Sequence, residues 1–126
     1  MKILGVDFGL KRIGLATTEG NVASPLKTIE VKGIVDAVLK VIALCKNEQF
    51  AKVIVGMPEG KMGENVLGFV RKLKKEGIDV ETFDETLSSR RALTNMIEIG
   101  IPKEKRRTND DQAAAIILQD YLDSKQ

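Results

Sequence analysis

The chain has 126 residues, about the size of one domain, and 43% of them are hydrophobic, which is enough for a core without disulfides. It contains no histidine, which excludes Ser-His-Asp and Cys-His catalysis and every zinc site with a histidine ligand. The net charge of +2 gives no overall signature of nucleic-acid binding, so any basic surface must come from local clusters.

The first part of the chain predicts three antiparallel strands. Apolar residues predict a buried strand over residues 2–8, and residues 13–18 return as a second strand after a short turn. A third strand is predicted over residues 22–31. Pro25 lies within it and cannot donate a hydrogen bond to a strand ladder, so we expect it at a sheet edge or a bulge.

From residue 34 onward, helices alternate with strands. Apolar stripes at residues 34–45, 66–73 and 92–97 mark three helices, of which the second is stopped by Gly77 and the third is capped by Thr86 or Ser88 and broken at residues 100–102. A last helix is predicted over 109–122, and strands are predicted over 52–56 and 78–83. The order βββαβαβαα predicts an α/β fold with a mixed five-stranded sheet and helices on both faces, the layout of an RNase H-like domain. We expect residues 1–126 to form this single domain.

Three acidic residues lie where predicted strands end or a helix begins. Asp7 ends the first strand, Glu85 follows the fifth strand, and Asp110 begins the last helix. Sites in open α/β sheets form outside the carboxyl ends of strands. Three carboxylates brought together there repel one another unless a cation holds them, and oxygen ligands favour Mg²⁺ or Mn²⁺. The pattern predicts a metal-dependent nuclease with these three acids as metal ligands and catalytic residues.

Each acid also has a simpler structural explanation. Asp7 alone suits the cap of a hairpin turn, and Asp84, beside Glu85, suits a solvated turn. Asp110 and its neighbour Asp111 suit the first turn of a helix, where acidic side chains interact favourably with the helix dipole. The conjunction of the three positions is what favours a metal site.

Two basic clusters accompany the acids. One follows the first strand, and the other directly precedes the last helix. They consist of Lys11 and Arg12, and of Lys105, Arg106 and Arg107. Basic runs are often solvated loops, but a phosphate backbone that passes the acids would meet both clusters. We therefore predict that these five residues bind nucleic acid.

A different reading of the first strand is a phosphate loop. The segment from Asp7 to Gly9, followed by Gly14, is similar to that of sugar-kinase and actin-like ATPases. Those enzymes need two such domains, and 126 residues leave no room for a second lobe to close over ATP.

Six segments, in order, carry a resemblance to a known family. They are Gly5-Val6-Asp7-Phe8-Gly9, Lys11-Arg12-Ile13-Gly14-Leu15-Ala16, Ser24-Pro25-Leu26-Lys27-Thr28-Ile29, Val55-Gly56-Met57-Pro58, Asp84-Glu85-Thr86-Leu87-Ser88-Ser89, and Asp110 with Ala113-Ala114 and Ile117-Leu118-Gln119. Together they resemble the YqgF family, also called RuvX-type, over nearly the whole chain. Their order and spacing make the resemblance specific.

The resemblance implies an RNase H-like fold and metal-dependent nuclease chemistry. Asp7 matches the family's first-strand acid, Glu85 the acid of its Asp-Glu-Arg motif, and Asp110 its last-helix acid, with Asp111 one residue away in register. Thr86 stands where the family usually has Arg, which bears on substrate handling. Met57 replaces the usual Leu, a change of little consequence.

Three functions remain open at this point. The first is hydrolysis of phosphodiesters by two Mg²⁺ or Mn²⁺ ions that Asp7 bridges. Members of the family are mostly described as nucleases that mature the 5′ end of pre-16S rRNA, so ribosomal precursor particles are candidate partners. The second is a Holliday junction resolvase acting on four-way DNA, which usually requires a symmetric dimer. The third is a non-catalytic RNA-binding factor in ribosome assembly.

The sequence also bears on location. It shows no signal-peptide pattern and no long apolar span, so we expect a cytoplasmic protein without a membrane partner. RNA or DNA as substrate and the oligomeric state stay open.

Overall fold

The computed structural model describes residues 1–58, 60–84 and 110–125. The strands are β1 (Ile3–Asp7), β2 (Arg12–Glu19), β3 (Val22–Glu30), β4 (Lys52–Met57) and β5 (Val80–Asp84). The helices are α1 (Ile34–Glu48), α2 (Met62–Lys75) and α3 (Asp110–Ser124). The helix predicted over residues 92–97, with its caps at Thr86 or Ser88, lies outside the described residues.

The strands form one mixed sheet in the order β3-β2-β1-β4-β5. β1, β2 and β3 pair as an antiparallel meander, whereas β4 and β5 continue parallel to β1. This arrangement confirms the predicted mixed five-stranded sheet. Pro25 lies on the outermost strand, opposite Ala16 and beside a shift in register, so both an edge and an irregularity accommodate its missing N–H.

Helices cover both faces of the sheet, as predicted. On one face α1 and α2 pack against alternate residues of the central strands, including Leu4 and Val6, around the buried ring of Phe69. On the other face, α3 is the helix of the described residues that packs against the sheet, with Ile117 and Leu118 fully buried. The alternation of β1 thus assigns its even residues to α1 and α2 and its odd residues to α3.

Some elements begin or end away from their apolar pattern. Helix α2 begins at Met62, four residues before the apolar stripe that starts at Val66, because the polar and small residues of its first turn do not belong to that stripe. The fifth strand begins at Val80, not at residue 78, because the N–H of Ile78 donates 3.1 Å to the carbonyl of Leu73 and closes the end of α2.

A glutamine fixes α3 against the outer strands. The Gln119 side chain accepts a hydrogen bond from the N–H of Ala23 (2.8 Å) and donates one to the carbonyl of Asn21 (3.2 Å). The turn between β2 and β3 is therefore tied to the middle of α3. In the described part of the chain, none of the helices is long and apolar enough to span a membrane.

Candidate active site

Asp7 is the last residue of β1 and is half-buried. Ile3 packs in the core beneath α3, and a Cβ added to Gly5 would come within 2.8 Å of Cβ of Leu118. Because side chains alternate along a strand, Asp7 faces the same side as Ile3 and Gly5, towards α3. Its Cα partner on the neighbouring strand β2 is Gly14.

Asp110 is the first residue of α3 and lies directly over Gly14. A Cβ added to Gly14 would collide with the carbonyl oxygen of Asp110 and would lie 2.8 Å from its Cβ. Cross-strand partners in an antiparallel pair have Cα atoms about 4.5–5.5 Å apart. Gly14 is thus the common neighbour of Asp7 and Asp110, and the fold brings these two predicted acids to one end of the sheet.

The missing side chain at Gly14 is what allows this approach. Sequence reasoning placed Gly14 in a matching motif without giving it a role. A glycine inside a strand often marks a site where another backbone comes close, and that signal was available in the sequence.

The predicted phosphate ligand Arg12 contacts an acid in this structure. Its Nε lies 3.3 Å from Oδ2 of Asp110, and the two side chains are 48% and 26% exposed. The sequence did not predict this ion pair. It offsets part of the negative charge of Asp110, at the end of the sheet where Asp7 also lies.

Asp111 is engaged differently from Asp110. Its Oδ1 accepts a hydrogen bond from the N–H of Gln112, 3.0 Å away, at the start of α3. One oxygen of Asp111 is therefore engaged by the backbone of its own helix, whereas Asp110 lies over Gly14, the strand partner of Asp7, and against Arg12. This contrast favours Asp110 as the ligand from the last helix.

The third acid, Glu85, lies outside the described residues, as do Lys105, Arg106 and Arg107. Asp84, the residue before Glu85, ends β5 opposite Met57 of β4. β1, β4 and β5 are parallel, so Asp7 and Asp84 both lie at the carboxyl ends of their strands, at one edge of the sheet. Strands lie about 4.8 Å apart, which separates β1 from β5 by ~10 Å at this edge.

The described residues alone do not complete a metal site. Among them, no group of three Asp, Glu, Cys or His side chains is close enough to hold an ion. The three-acid cluster of Asp7, Glu85 and Asp110 therefore stays a prediction. The donors that Asp7 and Asp110 carry are carboxylate oxygens, which suit Mg²⁺ or Mn²⁺. The only cysteine of the chain, Cys45, is buried in the core on the opposite face.

An open cavity of about 360 Å³ adjoins Asp110. The turn between β1 and β2 forms most of its wall, and its lining residues are Gly9, Leu10, Lys11, Arg12 and Asp110. Lys11 is exposed there, beside Arg12. The cavity thus presents two cations next to a carboxylate, an arrangement that can accept an anion such as a phosphate beside the predicted metal ligand Asp110.

The sequence matches the family model described as RuvX, Holliday junction resolvase, over residues 1–124. It is 38% identical over 133 residues to a protein of Endomicrobium trichonymphae, covering 97% of this chain and 95% of that protein. It is 39% identical over 137 residues to a protein of Acetivibrio thermocellus, covering 99% and 97%. Both relatives carry the name "Putative pre-16S rRNA nuclease".

Solved structures of Holliday junction resolvases share the fold. RuvC of T. thermophilus, in complex with a Holliday junction substrate, superposes with a TM-score of 0.64 at 19% identity, covering 99% of this chain and 95% of that one. The Fowlpox virus resolvase, also bound to junction DNA, gives 0.64 at 15% identity, covering 99% of each chain. These identities establish the fold alone, and it is the RNase H-like fold that the order of elements predicted.

Proposed function

The chain belongs to the RuvX family, and we propose that it is a divalent-metal-dependent nuclease that processes the 5′ end of pre-16S rRNA in the cytoplasm. The observation that carries the proposal is the approach of Asp7 and Asp110 across Gly14, beside the cations Lys11 and Arg12. Two carboxylates next to phosphate-binding cations form the core of a site for phosphodiester hydrolysis. The names of the relatives supply the substrate.

The residues that would hold the metal ions are Asp7, Asp110 and the predicted ligand Glu85. When bound, divalent ions stabilise the attacking and leaving oxygens of the phosphodiester. Asp7 and Asp110 also fix the position of the reaction, since one ends a buried strand and the other begins a helix packed on it. Both are therefore attached to rigid elements, which hold catalytic groups more precisely than loops do.

The cations act on the substrate. Lys11 and Arg12 line the cavity beside Asp110 and would bind a phosphate oxygen next to the cleaved bond. Such contacts orient the nucleic-acid backbone without reading its bases. The chain has only four Phe and one Tyr, and no Trp, so an extensive stacking platform for bases is not expected. Recognition is therefore expected to depend on the structure of the nucleic acid more than on its sequence.

A second candidate function is resolution of four-way DNA junctions. The family description and the junction-bound structures of similar fold favour it. It would use the same acids, so the active site does not separate it from rRNA processing. The two functions differ in substrate and in the need for two paired cuts.

Cleavage assays distinguish the two candidates. A pre-16S rRNA 5′ fragment and a four-way DNA junction are each incubated with Mg²⁺, Mn²⁺ or EDTA, in parallel with the Asp7→Asn variant. We expect metal-dependent cleavage of the RNA that is lost in the variant. Paired symmetric nicks in the junction would instead support a resolvase. Cleavage by Asp7→Asn at the wild-type rate would refute the proposed site.

A further inference from the structure

A second basic cavity lies next to the candidate active site, over the outer strands of the sheet. Its volume is about 380 Å³. Its lining residues are Lys11, Arg12, Glu30, Val31, Lys32 and Lys40. Lys32 and Lys40 were absent from the predicted nucleic-acid contacts, because they come from the loop after β3 and from α1 and form no run with Lys11 in the sequence.

The backbone around this cavity is held in place by hydrogen bonds. Arg12 and Glu30 are Cα partners at the start of β2 and the end of β3. One residue further out, the N–H of Val31 donates 2.9 Å to the carbonyl of Lys11. The N–H of Lys32 then donates 2.8 Å to the carboxylate of Asp36 in the first turn of α1. Lys11 and Lys32 therefore extend from neighbouring, fixed stretches of chain.

Two of the four cations are committed to partners. The Nζ of Lys40 donates 2.8 Å to the carbonyl of Glu30 and lies 3.2 Å from the carboxylate of Asp36. Arg12 is paired with Asp110. The acids here are therefore Glu30, which lines the cavity, and Asp36 and Asp110, which hold two of its cations.

The ammonium groups of Lys11 and Lys32 are the remaining positive charges. Both side chains are exposed, and within residues 1–58, 60–84 and 110–125 neither ammonium forms an ion pair or a hydrogen bond. Two such lysines at one cavity match an anion better than any neutral ligand. Lysine ammonium groups bind phosphate as point charges, without the fixed geometry of a guanidinium.

This cavity is continuous with the one beside Asp110, because Lys11 and Arg12 line both. β3 lies two strands from β1, which puts the second cavity roughly 10 Å from the strand that carries Asp7. We propose that the second cavity binds a phosphate of the same nucleic-acid strand, at a position other than the cleaved bond. Lys11 and Lys32 are the ligands of this phosphate. This inference rests on the proposed nuclease function. It also predicts the path of the substrate strand over the protein surface, from Asp110 across β2 towards the start of α1.

The test measures binding apart from cleavage. The affinity of a single-stranded pre-16S rRNA 5′ fragment is measured in EDTA over a series of salt concentrations, for the wild type and for Lys32→Gln. Each phosphate contact to a single strand contributes about 0.7 to the slope of log K against log salt. We expect Lys32→Gln to bind several-fold more weakly with a slope lower by up to about 0.7. Lys11→Gln/Lys32→Gln, which removes both ligands of this one phosphate, should bind more weakly again.

The matched control is Lys46→Gln. Lys46 is also exposed and undergoes the same change of charge, but it lies in the last turn of α1. Lys46 does not line the cavity, and twelve residues, about 18 Å along the axis, separate it from the start of that helix next to Lys32. It should bind RNA as the wild type does. Unchanged melting temperatures in all variants would show that the fold is retained.

The outcomes separate this inference from the proposed function. Wild-type affinity and slope in Lys32→Gln would overturn the inference even if the enzyme cleaves RNA. A loss of binding in Lys32→Gln, with no cleavage by the wild type in Mg²⁺ or Mn²⁺, would support the cavity and refute the nuclease. Inorganic phosphate is titrated as a second probe, against sodium chloride at equal ionic strength. Phosphate binding lost in Lys32→Gln, with RNA affinity unchanged, would indicate a site for free phosphate and would also overturn the inference.

Discussion

Arg12 and Asp110 are 98 positions apart in the sequence, yet Nε of Arg12 lies 3.3 Å from Oδ2 of Asp110. The pair joins the first residue of β2 to the first residue of α3. A metal ion at Asp110 would compete with this guanidinium for the same carboxylate. The pair therefore compensates the charge of the carboxylate, and a metal ion that displaced Arg12 from Asp110 would leave this cation beside the site.

We predict opposite effects of Arg12→Ala on metal and on RNA. Manganese binding, measured by titration calorimetry, should tighten because the variant removes both a competitor for Asp110 and a nearby positive charge. RNA affinity should weaken, with a salt slope lower by about 0.7. Stability should fall by at most about 1 kcal/mol, since the pair is partly exposed. Arg71→Ala, on the exposed side of α2, is the control for both measurements. Weaker manganese binding in Arg12→Ala would contradict the competition.

Gly14→Ala should be strongly destabilising. The added methyl group would meet the backbone of Asp110, which cannot move unless the start of α3 is displaced from the sheet. Overpacking of this kind costs about 1–3 kcal/mol. Chemical denaturation measures the cost. The activity of the folded variant should also fall, because Asp110 moves relative to Asp7.

The control for this prediction is the same substitution at Gly68. There the nearest atom to an added Cβ is Cδ1 of Ile34 at 3.8 Å, an ordinary contact. Gly68 lies inside α2, where alanine is favoured over glycine by about 0.5–1 kcal/mol. Gly68→Ala should therefore stabilise the protein. Equal effects at the two positions would show that the contact with Asp110 is unimportant.

Local patterns in the sequence predicted most of the sheet. Apolar residues recur with a period of two in strands and of 3.6 in helices, which predicts the type of element. Pro25 indicated an edge strand or a bulge, because a proline lacks the N–H donor that an inner strand needs. The rule that sites form at the carboxyl ends of strands pointed to Asp7 and Glu85. Asp110 was expected beside them as the third member of an acidic cluster, and that cluster stays a prediction because Glu85 lies outside the described residues. These features depend on the local sequence pattern or on general rules of sheet topology.

Contacts across the sheet could not be predicted in this way. A glycine inside a strand signals that another backbone comes close, but which segment approaches Gly14 depends on how α3 crosses β2. The ion pair of Arg12 depends on the same crossing, which no local pattern encodes. The cavity at Lys32 likewise joins the end of β3 to α1. Glu85 and the run from Lys105 to Arg107 remain predictions from sequence, because they lie outside the described residues.

An ion cluster at the other end of the sheet predicts a dependence of stability on pH. The carboxylate of Glu81 lies 3.0 Å from Nζ of Lys52 and accepts a hydrogen bond of 3.0 Å from the hydroxyl of Tyr121. The hydrogen bond from Lys52, and then that from Tyr121, holds the pKa of Glu81 below its usual value of 4.5. A lowered pKa stabilises the fold above that usual value, and the gain is lost as the pH falls through the lowered pKa.

Glu81→Gln should therefore reduce the free energy of unfolding at pH 7. The loss should be at most about 1 kcal/mol, because the Glu81 side chain is 40% exposed and the pair is screened by water. Unfolding in urea at a series of pH values should show the gap from the wild type closing below pH 4.5. Glu76→Gln, which alters an exposed carboxylate, should give no such gap. A difference that persists unchanged in acid would mean that packing, and not charge, is responsible.

Replacement of the predicted metal ligand Asp7 should abolish most of the stabilisation that Mn²⁺ gives to the fold. If Asp7 and Asp110 hold a divalent ion, Mn²⁺ at about 100 times its dissociation constant should stabilise the wild type by about 2.7 kcal/mol, a shift of several degrees in melting temperature. Asp7→Asn should lose most of this shift, because the amide carries no charge to bind the ion, while keeping its circular dichroism spectrum. Asp79→Asn should retain the shift, since Asp79 is exposed and precedes β5 at the opposite edge of the sheet. A full manganese shift in Asp7→Asn would place the ion elsewhere and remove the basis for metal-dependent cleavage at this site.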